Sequence, residues 1–417
     1  MASRPAKIAI LGAGPAGTSL ALSLVARGVD PADLVILDKA RFPRPKLCGG
    51  GITWRGTEIL ERLVGRPAGG STTSRLEFRS GLGSYDVRER GPQWIYDRGE
   101  LDHALVRACR ERGIEVREEH AITSLEPGVD GWRVATSTLT ETFRWVAGAD
   151  GANGISRRAS GLRGGITGRL VEAVFEPVDA RTQDEVLLFD FEPIADGIPG
   201  YAWIFPYPSP ERRTGLYKIG IMDGRGVVPG DRLREWTARY AERHGYRLAD
   251  TKIHGWPERY FDAHTVGHRP GLVLVGEALG IDALLGEGIA PALWISEYAA
   301  GRLRRALDEG TDRIAGYESG FLATPEGRNL WFQARLADRL YGGHPHRWLR
   351  VLFGMPHLRQ LAGSGNEAYG RLAKHVPSLI ARFAWSVATG GLPSADPVPP
   401  TAFPPARSAV AESQPVQ

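Results

Sequence analysis

Cysteines and long apolar runs are both scarce in this sequence, and each scarcity excludes a class of protein. The 417 residues contain two cysteines, Cys48 and Cys109, which is too few for a disulfide framework or a thiolate metal site. His264 and His268 have no third ligand at a suitable spacing, so we expect no bound metal. No apolar run approaches the ~18–20 residues that a membrane-spanning helix needs.

The start of the chain and its charge narrow the class further. An apolar run begins almost directly after Met1, which leaves no room for a signal peptide, so a cytoplasmic protein is expected. The 52 basic and 48 acidic residues give a formal net charge of +4. This excess suits a dinucleotide, an anionic substrate or an acidic membrane surface, but it is far below the basic signature of a nucleic-acid-binding protein. We therefore expect no nucleic-acid partner.

A glycine-rich turn near the N-terminus organises the first forty residues. The apolar run 8–11 leads into G-x-G-x-x-G, then into an alanine- and leucine-rich helical stretch, and a second apolar run, 34–37, ends on an acidic residue. This order is that of a dinucleotide-binding βαβ unit, in which glycines let the backbone approach the pyrophosphate and the acid accepts a ribose hydroxyl. The predicted cofactor contacts here are Gly12, Gly14, Pro15, Ala16, Gly17, Asp38 and Lys39. The unit alone leaves open whether the ligand is FAD or a nicotinamide dinucleotide.

Two later glycine motifs favour FAD. Asp150-Gly151 follows an apolar strand, and a second strand-to-helix loop runs from Gly276 to Gly288. Such a loop would bring backbone donors to a pyrophosphate, a ribityl chain and a flavin ring. Because the chain has no second G-x-G-x-x-G unit, it is typical of a flavoprotein that keeps FAD and meets its reductant transiently. That donor would be NADPH, NADH or a ferredoxin.

The order of these motifs resembles the flavoprotein monooxygenase fold of p-hydroxybenzoate hydroxylase. Within that superfamily, three segments look like the geranylgeranyl reductase family, and the resemblance spans about residues 7–305. The three segments are Arg44-Pro45-Lys46-Leu47-Cys48-Gly49-Gly50-Gly51, Tyr201-Ala202-Trp203-Ile204-Phe205-Pro206 and Leu285-Gly286-Glu287-Gly288-Ile289.

The resemblance implies further contacts with FAD at specific positions. They are Cys48, Gly49, Gly50, Gly51, Arg98, Ile122, Gly286, Gly288 and Ile289. The Asp-Gly motif and the late glycine loop add Asp150, Gly276 and Glu277 as predicted contacts. Two positions depart from the family pattern. Glu277 stands where the late loop usually has Asp, and Gly154 stands where the Asp-Gly motif usually continues with a serine.

The implied activity is reduction of isolated double bonds in a prenyl chain on a lipid, quinone or related compound. Such a bond has no electron sink, so a proton would be added and hydride would come from N5 of reduced FAD. Cys48 is the candidate catalytic residue, either positioning substrate or relaying a proton; the alternative is a small side chain packed under the flavin. Tyr201, Trp203 and Phe205 alternate along a predicted strand and would line one face of an apolar substrate tunnel, or else form ordinary core.

Two rival functions remain. A flavin-dependent monooxygenase or halogenase acting on an aromatic substrate would use the same fold, and the rhythm of residues 201–206 resembles a halogenase strand. A flavin-bound assembly or electron-transfer partner without catalysis is the second rival.

The sequence predicts an α/β protein with an inserted, mostly antiparallel sheet. Its Rossmann-type FAD domain comprises residues 1–165, with a small hairpin insert near 75–95, and residues 269–307. A β-sheet substrate domain occupies 166–268, a helical region 308–390 and a disordered tail 391–417. The basic and aromatic C-terminal helices would either touch a membrane surface or cap the domain, and the oligomeric state is left open.

Overall fold

The computed structural model describes residues 7–161, 165–179, 186–208, 215–249 and 252–354. The strands in chain order are β1 (Ile8–Leu11), β2 (Leu34–Leu37), β3 (Gly51–Ile52), β4 (Ser71–Ser80), β5 (Gly83–Ile95), β6 (Glu115–Arg117), β7 (Ile122–Gly128), β8 (Gly131–Thr136), β9 (Thr140–Phe143), β10 (Trp145–Gly148), β11 (Thr167–Pro177), β12 (Val186–Asp190), β13 (Gly200–Pro206), β14 (Tyr217–Asp223), β15 (Tyr246–Leu248), β16 (His254–Arg259), β17 (His268–Arg269) and β18 (Leu272–Leu274). The helices are α1 (Pro15–Val25), α2 (Trp54–Val64), α3 (Arg98–Glu111), α4 (Ile155–Ala159), α5 (Gly230–Arg243), α6 (Ile289–Asp308), α7 (Tyr317–Leu322), α8 (Pro325–Gly342) and α9 (Pro345–Gly354).

The first sheet carries the predicted dinucleotide-binding unit. Its strand order is β17-β18-β10-β1-β2-β6, and β1 pairs in parallel with both β10 and β2. Every residue of β1, β2 and β10 is buried, as expected of parallel strands that are covered on both faces. Because both faces of these strands are buried, the sequence shows continuous apolar runs here and no alternation.

Close packing between α1 and the sheet depends on two of the motif glycines. A side chain at Gly12, whose φ is 109°, would overlap the carbonyl of Ala149, and one at Gly17 would overlap the carbonyl of Gly12. On its other side α1 packs against α6, where the Ser296 hydroxyl donates to the Ala16 carbonyl oxygen at 2.8 Å. The glycines therefore set how near the helix start approaches the carboxyl ends of the strands.

The second sheet is larger and mostly antiparallel. Its order is β15-β11-β14-β13-β12-β4-β5-β3, with β16 also pairing β11. The predicted hairpin near 75–95 exists as β4 and β5, but it is not a small insert of the FAD domain. Arg75 to Arg79 pair in parallel with Val186 to Asp190 of β12, so the hairpin extends the second sheet. The sequence alternation predicted the local pairing and missed this non-local one, since strand partners distant in the chain leave no local periodicity.

A third sheet, β7-β8-β9, covers the first sheet. Trp132, Val134 and Phe143 of this sheet pack on Ala9 and Leu11 of β1.

The C-terminal helices α7, α8 and α9 follow α6 and end at Gly354. The remainder of the predicted helical region, and the predicted tail 391–417, lie outside the described residues. None of the described helices is both long and apolar enough to cross a membrane. The predicted α/β class with an inserted sheet and C-terminal helices is confirmed.

Candidate functional site

A cavity of about 1350 Å³ lies between the two large sheets. Its lining combines the glycine loops of the first sheet with aromatic side chains of the second and with residues of α8 and α9. This volume exceeds the roughly 300–1,000 Å³ typical of a pocket for one small molecule. The space therefore suits a dinucleotide together with a second, apolar ligand.

Most of the predicted site residues line this cavity. They are Gly12, Gly14, Pro15, Ala16, Asp38, Lys39, Cys48, Gly49, Gly50, Gly51, Arg98, Asp150, Tyr201, Trp203, Phe205, Glu277, Gly286, Gly288 and Ile289. Gly17, Ile122 and Gly276 are not part of the lining. Gly17 packs α1 on its turn, a side chain at Gly276 would overlap Ala16, and Ile122 packs against the core beneath the third sheet. A cofactor contact at these three positions stays a prediction.

The Cys48 loop is held by two charged side chains that the sequence analysis did not single out. Glu172, which is 2% exposed, accepts a hydrogen bond from the Cys48 backbone N–H at 3.2 Å and another from Trp203 Nε1 at 3.1 Å. Lys218 Nζ donates to the Cys48 carbonyl oxygen at 2.6 Å. Burial raises the pKa of Glu172, and the nearby ammonium of Lys218 opposes that rise. Both peptide groups flanking the Cys48 Cα are thus anchored to the second sheet.

The conformation of the loop requires glycine at one position and a close approach at another. Gly50 has a φ of 82°, and a side chain there would overlap the carbonyl of Tyr96. A Cβ on Gly49 would lie 2.9 Å from the ring of Phe205. The loop backbone at Gly49 therefore lies close to the ring of Phe205, while the Cys48 sulfur accepts the Gly50 N–H at 3.4 Å.

Arg98 is a buried cation on the cavity wall. It forms two hydrogen bonds to Asp102, Nε to Oδ1 and Nη2 to Oδ2, both 2.9 Å long. Arg44 also reaches Asp102, at 3.2 Å. Burial by itself would lower the pKa of Arg98, but the Asp102 carboxylate outweighs it and raises that pKa above its usual range. Because the carboxylate is bidentate, the guanidinium is fixed in orientation.

The Asp-Gly motif explains the departure at Gly154. Asp150 accepts hydrogen bonds from both the backbone N–H and the hydroxyl of Ser156 at the start of α4. A Cβ at Gly154 would overlap the Asp150 carboxylate. Residue 154 must therefore be glycine for Asp150 to keep this position, and Ser156 supplies the hydroxyl that bonds to the carboxylate.

The residues at the start of α1 fit a dinucleotide. Asp38 Oδ2 accepts the Ala13 N–H at 2.7 Å, and Oδ1 accepts the Ala40 N–H at 2.8 Å. The carboxylate is therefore held beside the glycine turn with a lone pair on each oxygen still available to ribose hydroxyls. Gly14 caps α1 without a side-chain partner, and Gly14, Pro15 and Ala16 line the cavity, so this helix start suits a pyrophosphate.

The family model described as an FAD binding domain matches residues 5–253. The chain belongs to this FAD binding family.

Relatives of this flavoprotein include proteins with reductase names. It is 28% identical over 357 residues to menaquinone reductase of Mycobacterium tuberculosis, covering 80% of this chain and 83% of that protein. It is 24% identical over 336 residues to digeranylgeranylglycerophospholipid reductase of Methanosarcina acetivorans, covering 73% and 76%. With the FAD binding family, these relatives make the chain an FAD-dependent oxidoreductase, and the resemblance to geranylgeranyl reductases is confirmed.

Solved structures show the same fold for this flavoprotein. A geranylgeranyl bacteriochlorophyll reductase-like protein of Thermoplasma acidophilum matches with a TM-score of 0.72 at 18% identity, covering 91% of this chain and 98% of that one. The halogenase PltM matches with a TM-score of 0.64 at 16% identity, covering 93% and 84%. At these identities the likeness concerns the fold alone.

The lining also contains an acid and a lysine that lie close together. Glu277, the glutamate in place of the family's aspartate, accepts the Arg259 N–H at 3.3 Å, and burial raises its pKa. Lys46 Nζ lies 3.4 Å from the ring centre of Trp256. Burial and the nearby Arg98 lower the pKa of Lys46 to about 8.

Aromatic rings form the remaining wall. Tyr201, Trp203 and Phe205 of β13 share one buried cluster, whereas Ala202 and Ile204 belong to another on the opposite face. Sequence alternation predicted this division. The rings contributed by other elements escaped that analysis, because no local pattern places them beside β13; they are Phe78, Tyr85, Phe189, Phe191 and Phe353.

Proposed function

We propose that this flavoprotein reduces isolated double bonds in the prenyl chain of a lipid, quinone or related apolar compound. The observation that carries the proposal is the continuity of one cavity from the glycine turn at Gly12 to the aromatic wall at Phe189 and Phe353. A carbon chain in the aromatic part of this cavity would share an enclosed space with the flavin. The names of the quinone and prenyl-lipid reductases among the relatives agree with this substrate class.

The residues of this chain would hold FAD at three places. The turn at Gly12 and Gly14 with Asp38 would take the ADP moiety, the Cys48 loop would lie against the flavin, and the start of α6 at Gly288 would direct backbone N–H groups at it. When bound and reduced, FAD supplies a hydride from N5.

The side chains of the cavity would orient the substrate, exclude water from its double bond and stabilise positive charge that develops there. The stacked rings of Phe78 and Phe189, with centroids 5.1 Å apart, continue into Phe205 at 5.1 Å and exclude water from the alkene. The π faces of such rings attract a cationic centre. Cys48 would contact the substrate where the loop meets this wall, and would position it or relay a proton.

The electron donor would be a transient partner. NADPH is the first candidate, with NADH or a ferredoxin as alternatives, since the sequence has a single dinucleotide-binding fingerprint.

The cavity lining includes exposed Trp331 of α8, with Arg335 5.6 Å from its ring centre. This pairing would suit contact with a membrane surface from which a prenyl lipid enters.

One rival is kept because a specific residue favours it. A halogenase needs a lysine that reaches its halogenating species, and Lys46 lines the cavity with a pKa of about 8. An oxygen-dependent enzyme of this kind would act on an aromatic substrate.

The test uses the purified protein with its bound FAD reduced in the absence of oxygen. A geranylgeranyl lipid is added, and recovery of the oxidised-flavin absorbance is followed. The mass of the product is measured by mass spectrometry. The matched control is the same lipid with a fully saturated chain, and a parallel cuvette receives oxygen with an aromatic substrate.

Oxygen-free reoxidation with a product heavier by two hydrogens, and no reoxidation by the saturated lipid, would support the proposal. Reoxidation that requires oxygen and leaves the alkene intact would reject it in favour of the oxygenase.

A further inference from the structure

An unpartnered carboxyl group lies on the cavity wall. Oε2 of Glu258 is buried and has no hydrogen-bond partner among the described residues. Glu258 lines the cavity from β16, and a Cβ built on Gly286 would lie 2.9 Å from this oxygen. Gly286 belongs to the loop that leads into α6, so the carboxyl sits where the flavin-binding loops and the second sheet meet.

The strand geometry keeps this carboxyl in place. Glu258 of β16 is the cross-strand partner of Gly168 in β11. A side chain at Gly168 would overlap the phenol oxygen of Tyr260. Glu258 and Tyr260 alternate along the chain and therefore share one face. The Tyr260 hydroxyl is likewise buried without a partner among the described residues. The carboxyl group of Glu258 lines the cavity and has no hydrogen-bond partner among the described residues, which indicates a ligand that completes it, since burial of a polar group without a hydrogen bond is costly.

The charges around Glu258 favour its neutral form. Glu277, Cys48 and Asp282 face it and disfavour a negative charge, Lys46 favours one, and the remaining neighbours, Tyr201 and Tyr260, are phenols. Burial is the largest effect and raises the pKa of Glu258 well above the usual carboxyl range. Burial and these charges therefore favour the protonated form of the side chain, which has a proton to donate.

The other acidic groups of the lining are already engaged. Glu172 accepts from Cys48 and Trp203, Asp282 accepts the N–H groups of Leu284 and Leu285, and the Tyr201 hydroxyl donates to the Leu285 carbonyl. The Cys48 sulfur accepts the Gly50 N–H and interacts with Arg98. Glu258 is left as the acid with no structural hydrogen bond to lose.

We propose that Glu258 is the catalytic proton donor to the substrate's double bond; this inference rests on the function proposed above. The carboxyl O–H bond of Glu258 breaks as a C–H bond forms at the less substituted alkene carbon. The hydride supplied by reduced FAD, itself recharged by a nicotinamide nucleotide or ferredoxin, forms the second C–H bond. Two electrons pass to the alkene, and the carboxylate regains its proton from solvent.

The test compares Glu258→Gln, Glu258→Asp and the matched control Glu235→Gln, which changes an exposed glutamate on α5 that pairs with Arg239. Each protein is reduced without oxygen and mixed with the geranylgeranyl lipid in a single turnover. We expect Glu258→Gln to slow alkene-dependent reoxidation by roughly 10²–10⁴-fold, while its FAD content and its reoxidation by oxygen match wild type. Glu258→Asp should recover part of the rate, and Glu235→Gln all of it.

The pH profile gives a second readout that a structural role would not move. In wild type the single-turnover rate should fall as pH rises, because deprotonation removes the donor, and Glu258→Gln should lack that fall. If the glutamine variant does not fold, a wild-type rate that stays constant with pH still rejects the role of Glu258.

A glutamine variant within about threefold of wild type, or a wild-type rate that does not fall with pH, would overturn the role of Glu258 alone. A wild-type protein that does not react with the alkene would overturn the proposed function and this inference together.

Discussion

At the scale of single residues, Gly154 shows how one missing side chain shapes a motif. Asp150 reaches both polar groups of Ser156 only because nothing projects from Gly154 into the space of its carboxylate. Burial raises the pKa of Asp150, and the two bonds from Ser156 oppose that rise. The motif therefore has two coupled parts, the carboxylate and the open space beside it.

We expect Gly154→Ala to weaken retention of FAD. The added methyl group would overlap Asp150 and displace either the carboxylate or the backbone of residues 150–154, all but Gly154 of which line the cavity. The measurement is the ratio of flavin to protein absorbance after extensive dialysis. Gly81→Ala is the matched control, because a Cβ there meets nothing within 4 Å and its φ is not in the left-handed region. Equal flavin retention in both variants would contradict the prediction.

At the scale of elements, β13 divides its side chains between two environments. Tyr201, Trp203 and Phe205 face the cavity, while Ala202 and Ile204 face the core beneath α5. A period of two follows from strand geometry, so this division was predictable from the sequence. The strand thus carries a candidate substrate wall and a structural face at once.

Substitutions on the two faces should separate binding from stability. Phe205→Ala should raise the KM for a prenyl substrate by roughly 10- to 150-fold, since a buried aromatic contact contributes about 1.5–3 kcal/mol. Ile204→Ala should leave KM unchanged and lower the free energy of unfolding by about 2–5 kcal/mol, because it leaves a cavity in the core. Steady-state kinetics and denaturant unfolding measure the two effects. A KM increase of the same size in both variants would contradict this assignment of faces.

Local elements were predictable because their causes are local. The buried runs of β1 and β2 and the turn at Gly12 to Gly17 carry their signals within forty residues. The pairing of β4 with β12 and the approach of Glu258 to Gly286 join segments distant in the chain, and no period or motif encodes them. The same reason explains why Glu172 and Lys218, which anchor the Cys48 loop, escaped the sequence analysis.

At the scale of the whole molecule, the cavity lies between the two large sheets and is lined by both. The first sheet contributes glycine loops and helix starts, and the second contributes rings and buried carboxyl groups. A dinucleotide that fills the space between them would contact both. Ligand binding to the folded state alone should therefore stabilise the entire chain.

FAD should raise the thermal stability of the protein by a measurable amount. FAD at 100 times its Kd adds about 2.7 kcal/mol to the free energy of unfolding. With an unfolding entropy of about 2.1 cal/mol/K per residue, this corresponds to an increase in Tm of about 3 °C for a chain of this length. The measurement is thermal unfolding of the flavin-stripped protein with and without added FAD.

FMN at the same concentration is the matched control for this experiment. FMN lacks the adenosine part that the turn at Gly12 and the Asp38 carboxylate are placed to receive. The two ligands therefore differ only in contacts with the first sheet, and the FMN shift should be the smaller. Equal shifts from the two flavins would mean that the glycine turn contributes nothing to binding, and would contradict the placement of the ADP moiety at α1.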